Sequence, residues 1–319
     1  MIAPFANLFG YILNFIYNIV NNYGLAIIIF SILIKIILLP LSIKQQKTMK
    51  KTTKIQNKLK EIQFKYKNDP ENLNRATMEL YKTENMSPFS GCLSGIVQII
   101  LLFAVFYLVR SPLTYMKKVD ANVINKYTKI IKENDLSTDS AYPEIEVIRE
   151  LDNIKKLKEN NTENKENNTE NIEENTENSE NNEEDNNSEK TDLAEINDEE
   201  LNSLDINMNF LGLNLAQIPT RSGDWKAYII PVLYVLVAII SLRITNPTPK
   251  KKEGEEKNSE DEFDPMAQMN KNMNFMFPVM YLAVALIAPL GLALYWLMNS
   301  LLMIIERLAL NKMLKDEEE

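Results

Sequence analysis

The sequence predicts an all-α polytopic membrane protein: a bundle of five transmembrane helices, a cytoplasmic helical hairpin and a polar groove within the membrane. Three observations carry that prediction. Long apolar runs recur along the chain, at residues 24–43, 91–109, 227–242 and 273–305. Seven lysines and no acid fill residues 44–60, directly after the first run. Lys35 stands twelfth in the twenty-residue run Gly24 to Ile43, where every neighbour is uncharged.

Residues 1–22 open the chain. Phe5, Leu8, Phe9, Ile12, Phe15, Ile16 and Ile19 recur at helical spacing, with Asn7, Asn14 and Asn18 largely opposite. That pattern predicts an amphipathic helix lying on the outer face of the bilayer. It has neither the charged start nor the small-residue cleavage site of a signal sequence.

Residues 23–43 are the first crossing. At ~1.5 Å per residue, the run from Gly24 covers roughly 30 Å of hydrocarbon. A lysine at its middle costs about 2.5–3.5 kcal/mol on insertion scales, so it should face a bundle interior or a wet cavity. Its stem is too short to reach either end of the helix, ~12 Å or more away. Two readings follow: a charge neutralised by a partner, or a charge presented in a polar intramembrane cavity. Ser31, one turn earlier, shares its face.

Residues 44–90 form the basic hairpin. Ile55, Leu59, Ile62 and Tyr66 keep helical spacing, Asn68-Asp69-Pro70 breaks it, and Leu73, Met78, Leu80 and Tyr81 resume it. Asp69 suits an N-cap with Pro70 at the first helical position. Lys50, Lys51, Lys54 and Lys58 give the first arm a basic face for ribosomal RNA or anionic lipid, or serve only to fix orientation. Lysine concentrated here places this side in the cytoplasm, the N-terminus outside and the C-terminus inside. Arg110, Lys117 and Lys118 then fall outside, against the rule.

The second crossing is 91–110, where Gln98 is a polar candidate for the groove. Residues 111–225 form the extracytoplasmic loop. Within it, residues 158–200 carry 17 acidic and 3 basic side chains, a balance of −14 against −9 for the whole chain. Such a segment is too polar to bury a core and is expected to be disordered. Asn209–Gln217 is apolar enough to dock near the membrane before the third crossing, 226–244. Pro247 and Pro249 lie in a charged loop, 245–272. The 33 uncharged residues from Met273 to Ile305 exceed one crossing, and Ala288-Pro289-Leu290-Gly291 divides them into a fourth helix, 273–288, and a fifth, 291–310. An acidic tail, 311–319, ends the chain.

Composition excludes much. The chain has no histidine, a single cysteine (Cys92) and eight scattered glycines without a phosphate-binding loop. No enzyme activity, cofactor, metal or small-molecule substrate is expected.

The segments YGLAIIIFSILIKIILLPL, ELYKTENMSPFSGC, NFLGLNLA, DPMAQMNKNMNFMFPVM and APLGLALYWLMNSL occur in this order from residue 23 to 301. In that order and spacing they resemble the YidC-type membrane protein insertases, relatives of the mitochondrial and chloroplast insertases. The resemblance runs from about residue 5 to 312, interrupted by the Asn/Glu-rich insert. Lys35 stands where the family usually has arginine, keeping the charge but losing the planar fork. Ile99 and Ile100 follow Gln98 where a proline is common. Family members often carry an additional N-terminal crossing or a lipoprotein signal. Neither is read in this sequence, which is either a minimal form or the continuation of an upstream segment.

The resemblance implies a groove open to cytoplasm and lipid but closed outside, lined by Lys35, Ser31, Gln98, Asn299 and Ser300. Lys35 would attract acidic residues in a client's tail, while Tyr295 and Trp296 would contact its apolar segment. Implied partners are nascent membrane-protein clients, the lipid bilayer and, beyond them, the ribosome and the Sec translocon. The implied location is the bacterial cytoplasmic membrane. Two other readings stand beside it. A solute or ion transporter needs inverted repeats and a carboxylate at mid-membrane. A ribosome-tethering scaffold would make Lys35 dispensable.

Overall fold

A computed structural model describes residues 3–67, 69–84, 90–136, 141–170, 196–245, 276 and 279–316. The described residues are almost wholly helical. Helix α1 (Ala3–Val20) precedes α2 (Tyr23–Lys65), α3 (Pro70–Thr83) and α4 (Ser90–Arg110). A π-helical turn (Leu113–Lys117) leads to α5 (Ala121–Glu133), α6 (Pro143–Arg149), α7 (Leu151–Glu170) and α8 (Asp198–Leu204). A two-stranded hairpin, β1 (Asn209–Phe210) with β2 (Leu213–Asn214), precedes the short α9 (Pro219–Ser222). A 3₁₀ turn (Trp225–Tyr228) then enters α10 (Ile229–Thr245). Helix α11 covers residues 279–287, and α12 is Leu290–Asp316.

Among the described residues, four segments are long and apolar enough to cross a membrane: Ala3–Val20, Tyr23–Thr48, Trp225–Ile244 and Leu290–Met313. The first is the helix expected to lie on the surface. The expected crossings 91–110 and 273–288 are not among the four: the side chains of 91–99 and residues 273–275, 277 and 278 lie outside the described residues, and Ile100–Arg110 is a shorter apolar helix.

Helix α1 divides its apolar surface differently from the expectation. Ala6, Phe9, Gly10, Leu13, Ile16 and Tyr17 are buried against the protein. Phe5, Leu8, Tyr11, Phe15 and Ile19 form an exposed stripe. The expected single face is thus split, since a helix lodged against other helices needs a second apolar side toward them.

Helix α2 continues for 43 residues, roughly 65 Å, without a break at residue 44. Asn22 caps it by accepting from the Leu25 amide at 3.0 Å. Asp69 caps α3 in the same way, accepting from Asn72 N at 3.1 Å, with Pro70 at the first position. An ion pair between Lys58 and Glu84 brings the end of α3 back beside α2.

The loop after α4 is folded rather than open. Ile124, Tyr127, Ile130 and Ile131 of α5 share one core with Ile145, Ile148, Leu151 and Ile154. Of the stretch expected to be disordered, 158–200, the described residues are 158–170 and 196–200. Helix α7 runs to Glu170, and Ile196, Leu201 and Leu204 are buried; residues 171–195 lie outside the described residues. Leu201 and Leu204 of α8 lie just beyond that stretch, where an average over it gives no sign of them. Glu144 is buried there and accepts from Thr114 N (3.0 Å) and Thr114 Oγ1 (2.7 Å).

The cations that strain the charge rule are all engaged. Arg110 donates to the Ala141 carbonyl at 2.8 Å, Lys117 lies over the Tyr17 ring and Lys118 over Tyr11. Burial holds the Lys117 ammonium below the ordinary lysine range.

Candidate functional site

Helices α2 and α12 run parallel. Gly291 packs near Tyr23, Lys35 meets Glu306, and Gln46 donates to Asn311 Oδ1 at 3.0 Å. Between them and α4 lies a cavity of about 50 Å³, lined by Ser31, Lys35, Ser42, Gln45, Tyr295 and Asn299 among apolar side chains of α1, α2 and α4. The α2 contribution follows a heptad stripe: Ser31, Lys35, Leu38, Ser42 and Gln45 are spaced by four, three, four and three residues.

Lys35 Nζ lies 3.1 Å from Glu306 Oε2, with side-chain exposures of 22% and 12%. Glu306 Oε1 is buried and makes no hydrogen bond among the described residues. Removing one partner of a fully buried pair costs about 3–5 kcal/mol, because the other charge is left uncompensated; this partly buried pair should cost less. The lysine's cost in an apolar helix is therefore offset from within the bundle. Ser31 is 3% exposed, and its Oγ donates to the Ile27 carbonyl at 2.7 Å, leaving its lone pairs toward the cavity.

The other sequence candidates divide. Asn299 and Tyr295 line the cavity, whereas Ser300 is buried outside that lining. Trp296 turns to a different face of α12, where its ring lies 5.8 Å from Tyr234 of α10. Adjacent residues on a helix point about 100° apart, so Tyr295 and Trp296 serve different faces. Gln98 is in α4, and its side chain lies outside the described residues, as do those of Lys50 and Lys54. Lys51 is exposed, and Lys58 pairs with Glu84.

Sequence reasoning missed Glu306, Ser42 and Gln45. The signal for the last two was the heptad stripe. Glu306 ends the long uncharged run and reads there as a boundary, although its helix continues to Asp316.

Away from the lysine-rich end, the bundle is stitched by residues 207–217. Tyr23 N donates to the Asn207 carbonyl (3.0 Å), and Asn22 Nδ2 donates to Asn209 O (2.6 Å). Leu290 N donates to Gln217 O and Gly291 N to Leu215 O, both at 2.9 Å. One segment thereby closes the α1–α2 turn and caps the start of α12.

The sequence pattern of the family described as 60Kd inner membrane protein matches residues 15–165 and 188–318. A Fusobacterium nucleatum protein named Membrane protein insertase YidC is 50% identical over 102 residues, 32% of this chain and 50% of that protein. A protein of the same name from Caldanaerobacter subterraneus is 42% identical over 109 residues, 34% of this chain and 53% of that protein. A third, from Geobacter sp., is 44% identical over 104 residues, 33% of this chain but 19% of its own length. The matched stretch thus spans about half the length of the first two relatives.

Proposed function

The chain belongs to the 60Kd inner membrane protein family, and on that premise we propose that it is a multi-pass protein of the bacterial inner membrane that inserts integral membrane proteins and assists their folding. The observation that carries this reading is the cavity at Lys35, where Ser31, Ser42, Gln45 and Asn299 join the lysine among apolar side chains. A hydrated pocket at that depth lets a client's polar tail enter the bilayer without crossing bare hydrocarbon. Lys35 attracts acidic residues in the tail, and the client's apolar segment leaves along α2 and α12 into lipid. The driving force is burial of that segment, so no nucleotide is required. The stitching by residues 207–217 supports a groove sealed on the outer side.

The five-crossing topology, with the N-terminus outside, the C-terminus cytoplasmic and α2–α3 projecting as the cytoplasmic hairpin, belongs to the same proposal. So do contacts of Lys50, Lys51, Lys54 and Lys58 with the ribosome or anionic lipid, and cooperation with the Sec translocon. A transporter reading gains one observation, the Glu306 carboxylate beside Lys35. The relatives named as insertases weigh the other way.

Complementation of an insertase-depleted bacterium tests the proposal. Wild type and Lys35→Arg should restore growth and insertion of a short acidic-tailed client, whereas Lys35→Ala and Lys35→Glu should fail. Rescue by all three variants would make Lys35 structural. Failure of well-expressed wild type both in cells and after reconstitution in liposomes would overturn the insertase reading.

A further inference from the structure

Glu306 presents to Lys35 the chemical group that an acidic client tail would bring. Its Oε2 lies 3.1 Å from Nζ, and among the described residues it is the only hydrogen-bond partner of that ammonium. Lys35 also faces the cavity, and Glu306 is not among the cavity's lining residues. The carboxylate therefore approaches the lysine from outside the space a client would occupy.

Neither group is saturated. An ammonium has three donors, of which one is committed here. A carboxylate has two acceptor oxygens, and Glu306 Oε1 is buried without a partner among the described residues. The contact thus rests on a single hydrogen bond, which must open before a client carboxylate can take the ammonium. A bidentate bridge, in which both oxygens are engaged, would open less readily than this single contact.

We propose that Glu306 is a resident competitor for the groove's lysine: it holds Lys35 until a client carboxylate displaces it, and so sets how acidic a tail must be to engage. This rests on the insertase reading. A lysine occupied internally is available to a client only for the fraction of time the pair is open, and apparent affinity falls by that fraction. Clients without acidic residues gain nothing from opening the pair and are unaffected. Glu306 is accordingly a specificity-determining residue, acting through Lys35 and distinct from a simple counter-ion.

The test uses the full-length protein reconstituted in liposomes of phosphatidylethanolamine and phosphatidylglycerol. It compares two versions of one single-span client, differing only in two tail residues, both aspartate or both asparagine, at subsaturating concentration. Glu306→Gln should raise the ratio of acidic-tail to neutral-tail insertion several-fold, about tenfold if the pair is open one-tenth of the time. An unchanged or lower ratio, with neutral-tail insertion intact, would overturn the proposal, since a structural counter-ion would affect both clients alike. If Glu306→Gln also abolishes neutral-tail insertion, Glu306→Asp decides. Its shorter stem withdraws the carboxylate while keeping the charge, and a ratio above wild type supports the proposal whereas an equal or lower one overturns it. Wild type that inserts neither client sinks the insertase reading, and this inference with it.

Discussion

Gly10 of α1 lies against the backbone of Tyr115 so closely that a Cβ at residue 10 would fall 1.9 Å from the Tyr115 carbonyl oxygen. The π-helical turn is thereby fitted to a notch in α1 that only glycine leaves open. Gly10→Ala should detach α1 from the turn, because the obstructing atoms are backbone and cannot rotate away. The cost should reach or exceed the ~1–3 kcal/mol typical of overpacking. Gly291 is the control: its added Cβ would meet Tyr23 at 3.4 Å and the Leu215 carbonyl at 3.5 Å. Gly291→Ala should leave the thermal midpoint in detergent almost unchanged, while Gly10→Ala lowers it and exposes α1 to protease.

Glu144 gives a pH prediction outside the membrane. Burial pushes its carboxyl above the ordinary range, while hydrogen bonds from Thr114 pull the other way without cancelling it. An acid whose folded pKa is raised holds its proton longer in the native state. Stability attributable to it is therefore fully present below the ordinary carboxylate range, and is lost as pH rises from that range through the raised value. Glu144→Gln keeps a side chain able to bond Thr114 and removes the buried charge. Its stability relative to wild type should rise across that pH window and then level off, as read by thermal unfolding at a series of pH values. Glu144→Ala, which strands the Thr114 amide and hydroxyl, should cost about 1–3 kcal/mol.

The parts legible in the sequence are those written as local periodicity or punctuation. Asn68-Asp69-Pro70 marks the end of one helix and the start of another because the cap and the fixed proline φ act within four residues. Pro289 likewise separates α11 from α12. Lys35 draws notice because a charge in an apolar run is costly wherever the chain folds. Its partner is not legible, since the Lys35–Glu306 contact spans 271 residues and depends on α2 and α12 running side by side. The folded loop after α4 was obscured for a different reason. Its core is assembled from short apolar clusters on both sides of an Asn/Glu-rich stretch whose average polarity outweighs them.

Leu211 breaks a local rule. It sits at the tip of the β1–β2 hairpin with φ of 51° and is 88% exposed, beside Gly212 at φ 77°. Two consecutive left-handed residues form the turn that favours Asn-Gly, and a leucine there is strained by about 1–2 kcal/mol. Leu211→Asn should raise the thermal midpoint, by an amount equivalent to about 1 kcal/mol. A fall instead would mean that Leu211 makes a stabilising contact, for example with lipid, that outweighs the strain.

The polar stripe on α2 yields a prediction about the groove independent of its lysine. Ser42 and Gln45 line the cavity between Lys35 and the lysine-rich end of the helix, along the path a tail would follow. Ser42→Leu with Gln45→Leu replaces two hydrogen-bonding side chains by apolar ones of good helix propensity, in a lining already rich in leucine. Folding should therefore be preserved, and Lys35 with Glu306 left in place. Insertion of a client with a polar tail should fall about tenfold, the equivalent of ~1.4 kcal/mol for one unmet polar contact during passage. Clients whose tails are mainly apolar should insert at the wild-type rate. Equal insertion of polar-tailed clients by the double variant and wild type would mean that tails do not travel along this face of α2.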